Sequence, residues 1–216
     1  MTSHSVLSPL TRILLAVLLV TTICGYALIP LDRSLPVHWG LSGAPDRFAP
    51  AAIALALPAL LALVVVALGA VLRLPRFRGD LDASRHVMSV ALSSVVALAL
   101  ALSLATLALG LGLDVDMPRL IALMVGLQIL CLGNALPKSR PNRLAGVRLP
   151  QIMSDPRIWR VTQLWTGRLM MLSGLVLVGA ALLSPGPTTL IVLIVAAVVI
   201  PAFAGILIGT AMARRA

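Results

Sequence analysis

The side chains able to do chemistry fall in two segments of this chain. The first covers residues 30–50, where His38, Trp39, Asp46 and Arg47 stand among Gly40, Gly43 and several prolines, Pro45 among them. An imidazole here could serve as a metal ligand or as a pH sensor. A lone His without a second His, Cys or Glu nearby is a poor metal site, so no metal is expected. Asp46 and Arg47 are adjacent, a poor arrangement for a mutual ion pair, so each should find another partner or water. Trp39, an apolar ring with one N–H donor, suits the headgroup level of a bilayer. The glycines and prolines make the segment compact and turn-rich. The second segment covers residues 133–168. It holds Lys138, Arg140, Arg143, Arg148, Arg157, Arg160 and Arg168, together with Asn134, Asn142, Trp159 and Trp165. Such a basic stretch can meet phosphate headgroups, although setting orientation in a membrane is its simpler role.

Several classes of protein are excluded by what these segments lack. There is no His-Glu-x-x-His, no paired carboxylate on a helix face, no glycine-rich phosphate loop and no Cys/His cluster. Ser and Thr are present without a partner base, which nucleophilic catalysis would need. The chain is therefore read as a non-enzyme without cofactor. Its seven acidic residues are all Asp. Cys24 and Cys131 lie in apolar stretches and are read as buried thiols. The net charge of +10 invites a nucleic-acid partner. That reading is set aside, because the basic residues flank apolar segments, where they serve orientation and contact with anionic lipid.

These residues must be positioned by elements made for lipid. Sixty per cent of the residues are hydrophobic and only 11% are charged, against about 25% in soluble domains. Charge-free runs cover residues 13–31, 48–72, 87–113, 120–137 and 169–213. A spanning helix needs about 20 apolar residues, so the last run is too long for one. Ser184-Pro185-Gly186-Pro187 divides it, giving six spans in an all-α polytopic membrane protein. The first run is longer than the apolar core of a cleaved signal and no Ala-x-Ala site follows, so it reads as an uncleaved helix. Pro58 and Pro201 fall inside spans and should kink them. Gln128 is the most polar side chain within a span, suited to an interhelical hydrogen bond. Gly205 and Gly209, four apart, could admit close helix approach, within one molecule or between two.

All but Arg33, Arg47 and Arg119 of the 17 Lys and Arg flank alternate ends of these spans. Basic residues are retained in the cytoplasm, so both termini are expected inside and residues 30–50 outside. The absence of mid-depth charge argues against ion-coupled transport. The Ala, Leu, Val and Arg bias resembles that of a GC-rich bacterial genome, and the expected location is the inner (plasma) membrane.

Within the basic loop, Pro137 and Pro141 should stop the fourth helix, and Asn142 can accept from backbone N–H groups in a turn. Gly146 can take a positive φ. Asp155-Pro156 can open the next helix as N-cap and first residue. Trp159 and Trp165, six apart, diverge by about 120° on a helix, and both could anchor at the interface.

Two resemblances follow. Residues His38, Trp39, Gly43, Pro45 and Asp46 resemble the pattern of the small bacterial membrane module DUF1648, which implies a unit over residues 10–72. Gly133, Asn134, Leu136, Pro137, Lys138, Asn142, Gly146, Arg148, Pro150, Trp159, Thr162 and Gly167 look like the signature of the SdpI family. The chain then divides into residues 10–72, a basic loop and third span over 73–118, and an SdpI-like unit over 119–212. The family resemblance implies immunity to a secreted bacterial toxin. It also implies a membrane receptor role towards a cytoplasmic transcriptional repressor, with lipid and a peptide toxin as further partners. Gln163, Leu164 and Gln151 depart from the residues usual at those positions (His, Arg and Trp), which puts any role of the His-Arg pair in question for this chain. A small carrier of lipid or hydrophobic compounds is the alternative.

Overall fold

The computed structural model describes residues 7–215. Its order is α1 (Pro9–Leu28), β1 (Ser34–Trp39), β2 (Pro45–Pro50), α2 (Ala51–Val71), α3 (Arg78–Gly110), α4 (Met117–Ala135), α5 (Pro150–Met153), α6 (Pro156–Leu183) and α7 (Pro187–Ala213). Short 3-10 turns, Pro75–Phe77 and Leu136–Lys138, adjoin α3 and α4. Six of these helices are long and apolar enough to cross a membrane. The fold is that of an all-α polytopic membrane protein.

The helices overrun the apolar runs that reveal them, because a charged residue ends an apolar run without ending a helix. α3 starts at Arg78 rather than near 87, carrying Asp80, Asp82 and Arg85 on its first turns. α6 starts at Pro156, ahead of the apolar run at 169, as the Asp155-Pro156 pair predicts, with Asp155 as N-cap accepting from the Arg157 N–H at 2.7 Å. Ser8 and Asp116 cap α1 and α4 similarly, each with proline in the first turn. Between α6 and α7, Ser184 takes the left-handed conformation at φ 50° and ends α6.

Two groups of three helices result. α1, α2 and α3 pack together, as do α4, α6 and α7, and α3 lies against α4. In lipid, apolar surface gives no drive for helices to associate, so close packing and interhelical hydrogen bonds must hold them. In the first group, Thr11 of α1, fully buried, shares a 2.8 Å hydrogen bond with Ser93 of α3. In the second, α4 and α6 meet backbone to backbone. A Cβ on Gly133 would lie 2.6 Å from the Gly167 carbonyl, and one on Gly167 would lie 2.5 Å from that of Gly133. The same relation recurs seven residues along, where a Cβ on Gly174 would lie 2.7 Å from the Gly126 carbonyl. An antiparallel crossing with glycine on both helices, two turns apart, brings the backbones together.

Gly205 and Gly209 serve packing within the molecule. A Cβ at Gly205 would run into Thr166 Oγ1 of α6, and one at Gly209 into Ile152 of α5. Gln128, half-buried, makes no hydrogen bond among the described residues, so the expected interhelical bond is absent from that set. Cys131 is exposed on α4 and Cys24 is half-buried, against the expectation of two buried thiols.

The segment after α1 is a β-hairpin rather than an irregular loop. β1 and β2 pair antiparallel, with irregular register on both sides of His38. The Ala51 N–H donates to the Arg33 carbonyl at 2.8 Å and the Ala52 N–H to that of Leu31, so the hairpin runs into α2 without a gap. Its tip turns at Gly43, φ 80°, which sits against Pro187 of α7 and Pro118 of α4. Thr188 Oγ1 donates to the Leu41 carbonyl at 2.9 Å. The hairpin belongs to the first helix group by sequence and reaches the second by its tip.

Candidate functional site

At the hairpin end, His38 and Asp46 face each other across the two strands, Nδ1 to Oδ1 2.5 Å. Asp46 therefore pairs with His38 and not with its neighbour Arg47. Both side chains remain about half exposed. No group of three metal-binding side chains occurs among the described residues. Trp39 pairs with Pro45 in the ladder and is half-buried. Beside it lies a cleft of about 390 Å³. Pro36, His38 and Trp39 form its hairpin wall, Leu57 and Pro58 come from α2, Leu102 and Thr106 from α3, and Met117 and Ile121 from α4. The cleft sits on the seam between the two helix groups and its walls are mainly apolar.

At the opposite end, the residues of the basic loop form one assembly. Asn142, 1% exposed, is its pivot. Its Oδ1 accepts from the Leu144 and Ala145 N–H groups, both at 2.8 Å, and its Nδ2 donates to the Arg140 carbonyl at 2.7 Å. Trp159 is 1% exposed and its Nε1 donates to the Ser139 carbonyl at 3.1 Å. It is thus a buried clamp on the loop and no interfacial anchor, because its one donor is taken up by backbone. Trp165 is the exposed member of the pair, with the Arg168 guanidinium over its ring. Gly146 adopts φ 104°, and a Cβ there would come within 2.7 Å of Gln163 Oε1.

Gln163 is fully buried on α6. Its Oε1 accepts from the Val147 N–H at 3.2 Å, and its Nε2 donates to the Val147 carbonyl at 3.3 Å. One side-chain amide thereby matches both polar groups of one residue. Leu164, the second departure, is only half-buried. Thr162, one turn from Trp159, is fully buried and its hydroxyl has no hydrogen-bond partner among the described residues.

The loop is also tied to α3. The Arg140 N–H donates to the Ala83 carbonyl at 2.9 Å, and the Arg143 N–H donates to Asp80 Oδ1 at 2.8 Å. Lys138 Nζ lies 3.5 Å from His86 Nε2. Gly133, Pro137 and Gly167 lie at the α4–α6 contact, where a Cβ on Gly167 would meet Pro137 at 3.0 Å. Pro150 opens α5. Asn134 is exposed and makes no hydrogen bond among the described residues. The structure thus joins Gly133, Pro137, Asn142, Gly146, Trp159 and Gly167 in one packed loop support. It leaves His38, Trp39, Gly43, Pro45 and Asp46 at the other end of the molecule. Among the positions that the sequence leaves unmarked, Gly126 and Gly174 matter for packing. Their seven-residue offset from Gly133 and Gly167 is the signal that would have found them.

Arg119 has a local task. Its Nε donates to the Ala181 carbonyl at 2.8 Å and its Nη2 to that of Leu182 at 3.3 Å. A cation at the carbonyl end of α6 satisfies acceptors that the helix leaves open.

The fold and this loop define a multi-pass membrane protein with an ordered, arginine-bearing loop between its fourth and fifth long helices. Residues 138–209 match the family model described as the SdpI/YfhL protein family. The match runs from the loop through most of α7. No curated protein and no solved structure matches the chain.

Proposed function

We propose that this protein confers immunity to a secreted, membrane-active peptide toxin, and that it does so by holding the toxin within the bilayer. The similarity of residues 138–209 to the SdpI/YfhL family carries this reading. The cleft beside His38 and Trp39 supplies the place. It is apolar along α2, α3 and α4, and it carries one indole N–H and a His–Asp pair at its mouth. An amphipathic peptide needs such a surface: an apolar slot at acyl-chain depth and a polar rim above it. No catalytic group is required for interception.

In this proposal the hairpin faces outwards, both termini lie in the cytoplasm, and the membrane is the bacterial inner membrane. Residues 10–72 act as the DUF1648-like receptor unit. The loop of residues 138–149, tied to α3 through Ala83 and Asp80, presents the cytoplasmic face on which a transcriptional repressor would dock. Toxin wedged into the seam between the helix groups would be felt by that loop, because it bridges both groups.

The test is protection of a toxin-sensitive bacterium that expresses the full chain. Survival is expected to rise with the wild type and to fall for Trp39→Ala and Leu57→Trp, at equal membrane abundance. Killing that is unchanged by the wild type, across a panel of secreted amphipathic peptide toxins, would sink the proposal.

A further inference from the structure

A second cleft lies at the basic end, on the far side of the loop from α3. Its volume is about 530 Å³, and its walls include Arg143, Arg148 and Val147 from the loop, Met153 from α5, and Ala202 and Ile206 from α7. Two features of these walls differ in kind. One is cationic: no carboxylate lines the cleft, and neither arginine takes part in an ion pair among the described residues. Asp80, the acid tied to this loop, binds the backbone of Arg143 and leaves its guanidinium free. Arg148 is held in place from one side, its Nη1 donating to the Arg143 carbonyl at 2.7 Å. The other feature is apolar and continues outwards. Ile206, 40% exposed, leads along α7 to Phe203 and Val199, both more than half exposed on the lipid-facing surface.

Depth joins the two. Ile206 lies seven residues, and Ala202 eleven, from the last residue of α7, or roughly 10 and 16 Å along the helix axis. The floor of the cleft thus extends along α7 away from the helix end, and the two arginines of the loop stand over it, the order in which a phosphate and its acyl chain follow one another. We propose that this cleft is a binding site for an anionic phospholipid. The phosphate is held by Arg143 and Arg148, and one acyl chain lies against Val147, Met153, Ala202 and Ile206. Guanidinium groups suit a phosphate because their planar fork offers parallel donors. Charge complementarity selects an anionic lipid over a zwitterionic one, and the apolar floor selects a lipid over a free phosphate.

The experiment uses the purified full chain in detergent, with bound lipid read by native mass spectrometry. The probes are phosphatidylglycerol and phosphatidylcholine of identical acyl chains, with glycerol 3-phosphate as a chainless competitor. The wild type should retain phosphatidylglycerol preferentially, and glycerol 3-phosphate should not displace it. Arg143→Gln with Arg148→Gln should lower phosphatidylglycerol retention by about fivefold per arginine and leave phosphatidylcholine unchanged. Ala202→Phe, which fills the floor, should lower retention of both. Arg214→Gln with Arg215→Gln, an equal charge change at the chain end, should have no effect. Equal retention of the two lipids by the wild type, displacement by glycerol 3-phosphate, or an equal loss in the Arg214/Arg215 variant would each overturn the proposal. Should the double variant fail to elute as a folded particle, Arg143→Gln alone is read by the same rule. Its guanidinium has no partner whose loss would unfold the loop.

Discussion

Gln163 fixes the position of Val147 through both polar groups of that residue, and is itself fully buried. Gln163→Leu keeps the volume but takes away the partner of an N–H and a carbonyl of half-buried Val147, at up to about 1–3 kcal/mol in all. The expected outcome is a lower thermal midpoint in detergent and faster proteolysis within residues 139–149. A midpoint equal to wild type would show that Asn142, Trp159 and the ties to α3 hold the loop without the Gln163 contact. Gly146→Ala acts on the same contact from the loop side. It places a Cβ in a left-handed backbone and against Gln163, at about 1–3 kcal/mol from the backbone alone. It should weaken the loop similarly, and combining the two changes should cost less than their sum, because both break one contact. Sequence pattern marked Asn142 and Gly146 as turn residues through their side-chain and backbone chemistry. It could not show what Gln163 touches, since Val147 lies sixteen residues away and across a turn.

The element that most determines the second helix group is the α4–α6 crossing. Glycines at 126 and 133 face glycines at 174 and 167, with room for no side chain between. Gly167→Leu should destabilise by about 1–3 kcal/mol or more, read as loss of a monodisperse peak after mild heating. Gly179→Leu on the same helix, where a Cβ meets nothing within 4 Å, should behave like wild type. The number of helices was legible from the apolar runs, because lipid demands their length. Of their starts, that of α6 was legible, because Asp155-Pro156 offers an N-cap followed by proline. Those of α1, α3 and α4 were not: Ser8 and Asp116 cap their helices ahead of the apolar runs, and the first turns of α3 are polar enough to read as loop. The hairpin was hidden for a different reason. Its strands carry Pro36, Pro45 and Pro50, and proline argues against a strand in a sheet interior. Two strands alone have only edges, so proline is tolerated there.

At the scale of the whole molecule, the hairpin and the links that follow α3 and α6 lie on one side, and the basic loop, the start of α1 and the end of α7 lie on the other. Charge alone assigns the direction. In a Cys24→Ser/Cys131→Ser background, Leu41→Cys should react with a membrane-impermeant thiol reagent on intact cells. Arg140→Cys should react only after permeabilisation. The reverse pattern would invert the assignment and with it the proposed toxin-facing surface. The two clefts were beyond sequence reading because each is built by residues from at least three elements. Trp39 joins Leu57 and Ile121 only through the seam, and Arg143 meets Ala202 only because α5 and α7 fold beneath the loop.

The two helix groups are connected by more than the short link of residues 111–116. Leu41 holds Thr188 at one rim, and Ala83 and Asp80 hold residues 140 and 143 at the other. A polypeptide severed within that link would still be clasped at both surfaces of the membrane. Fragments 1–112 and 113–216, made from separate genes, should consequently co-purify, and removing the hydroxyl of Thr188 should loosen only the clasp at the hairpin rim.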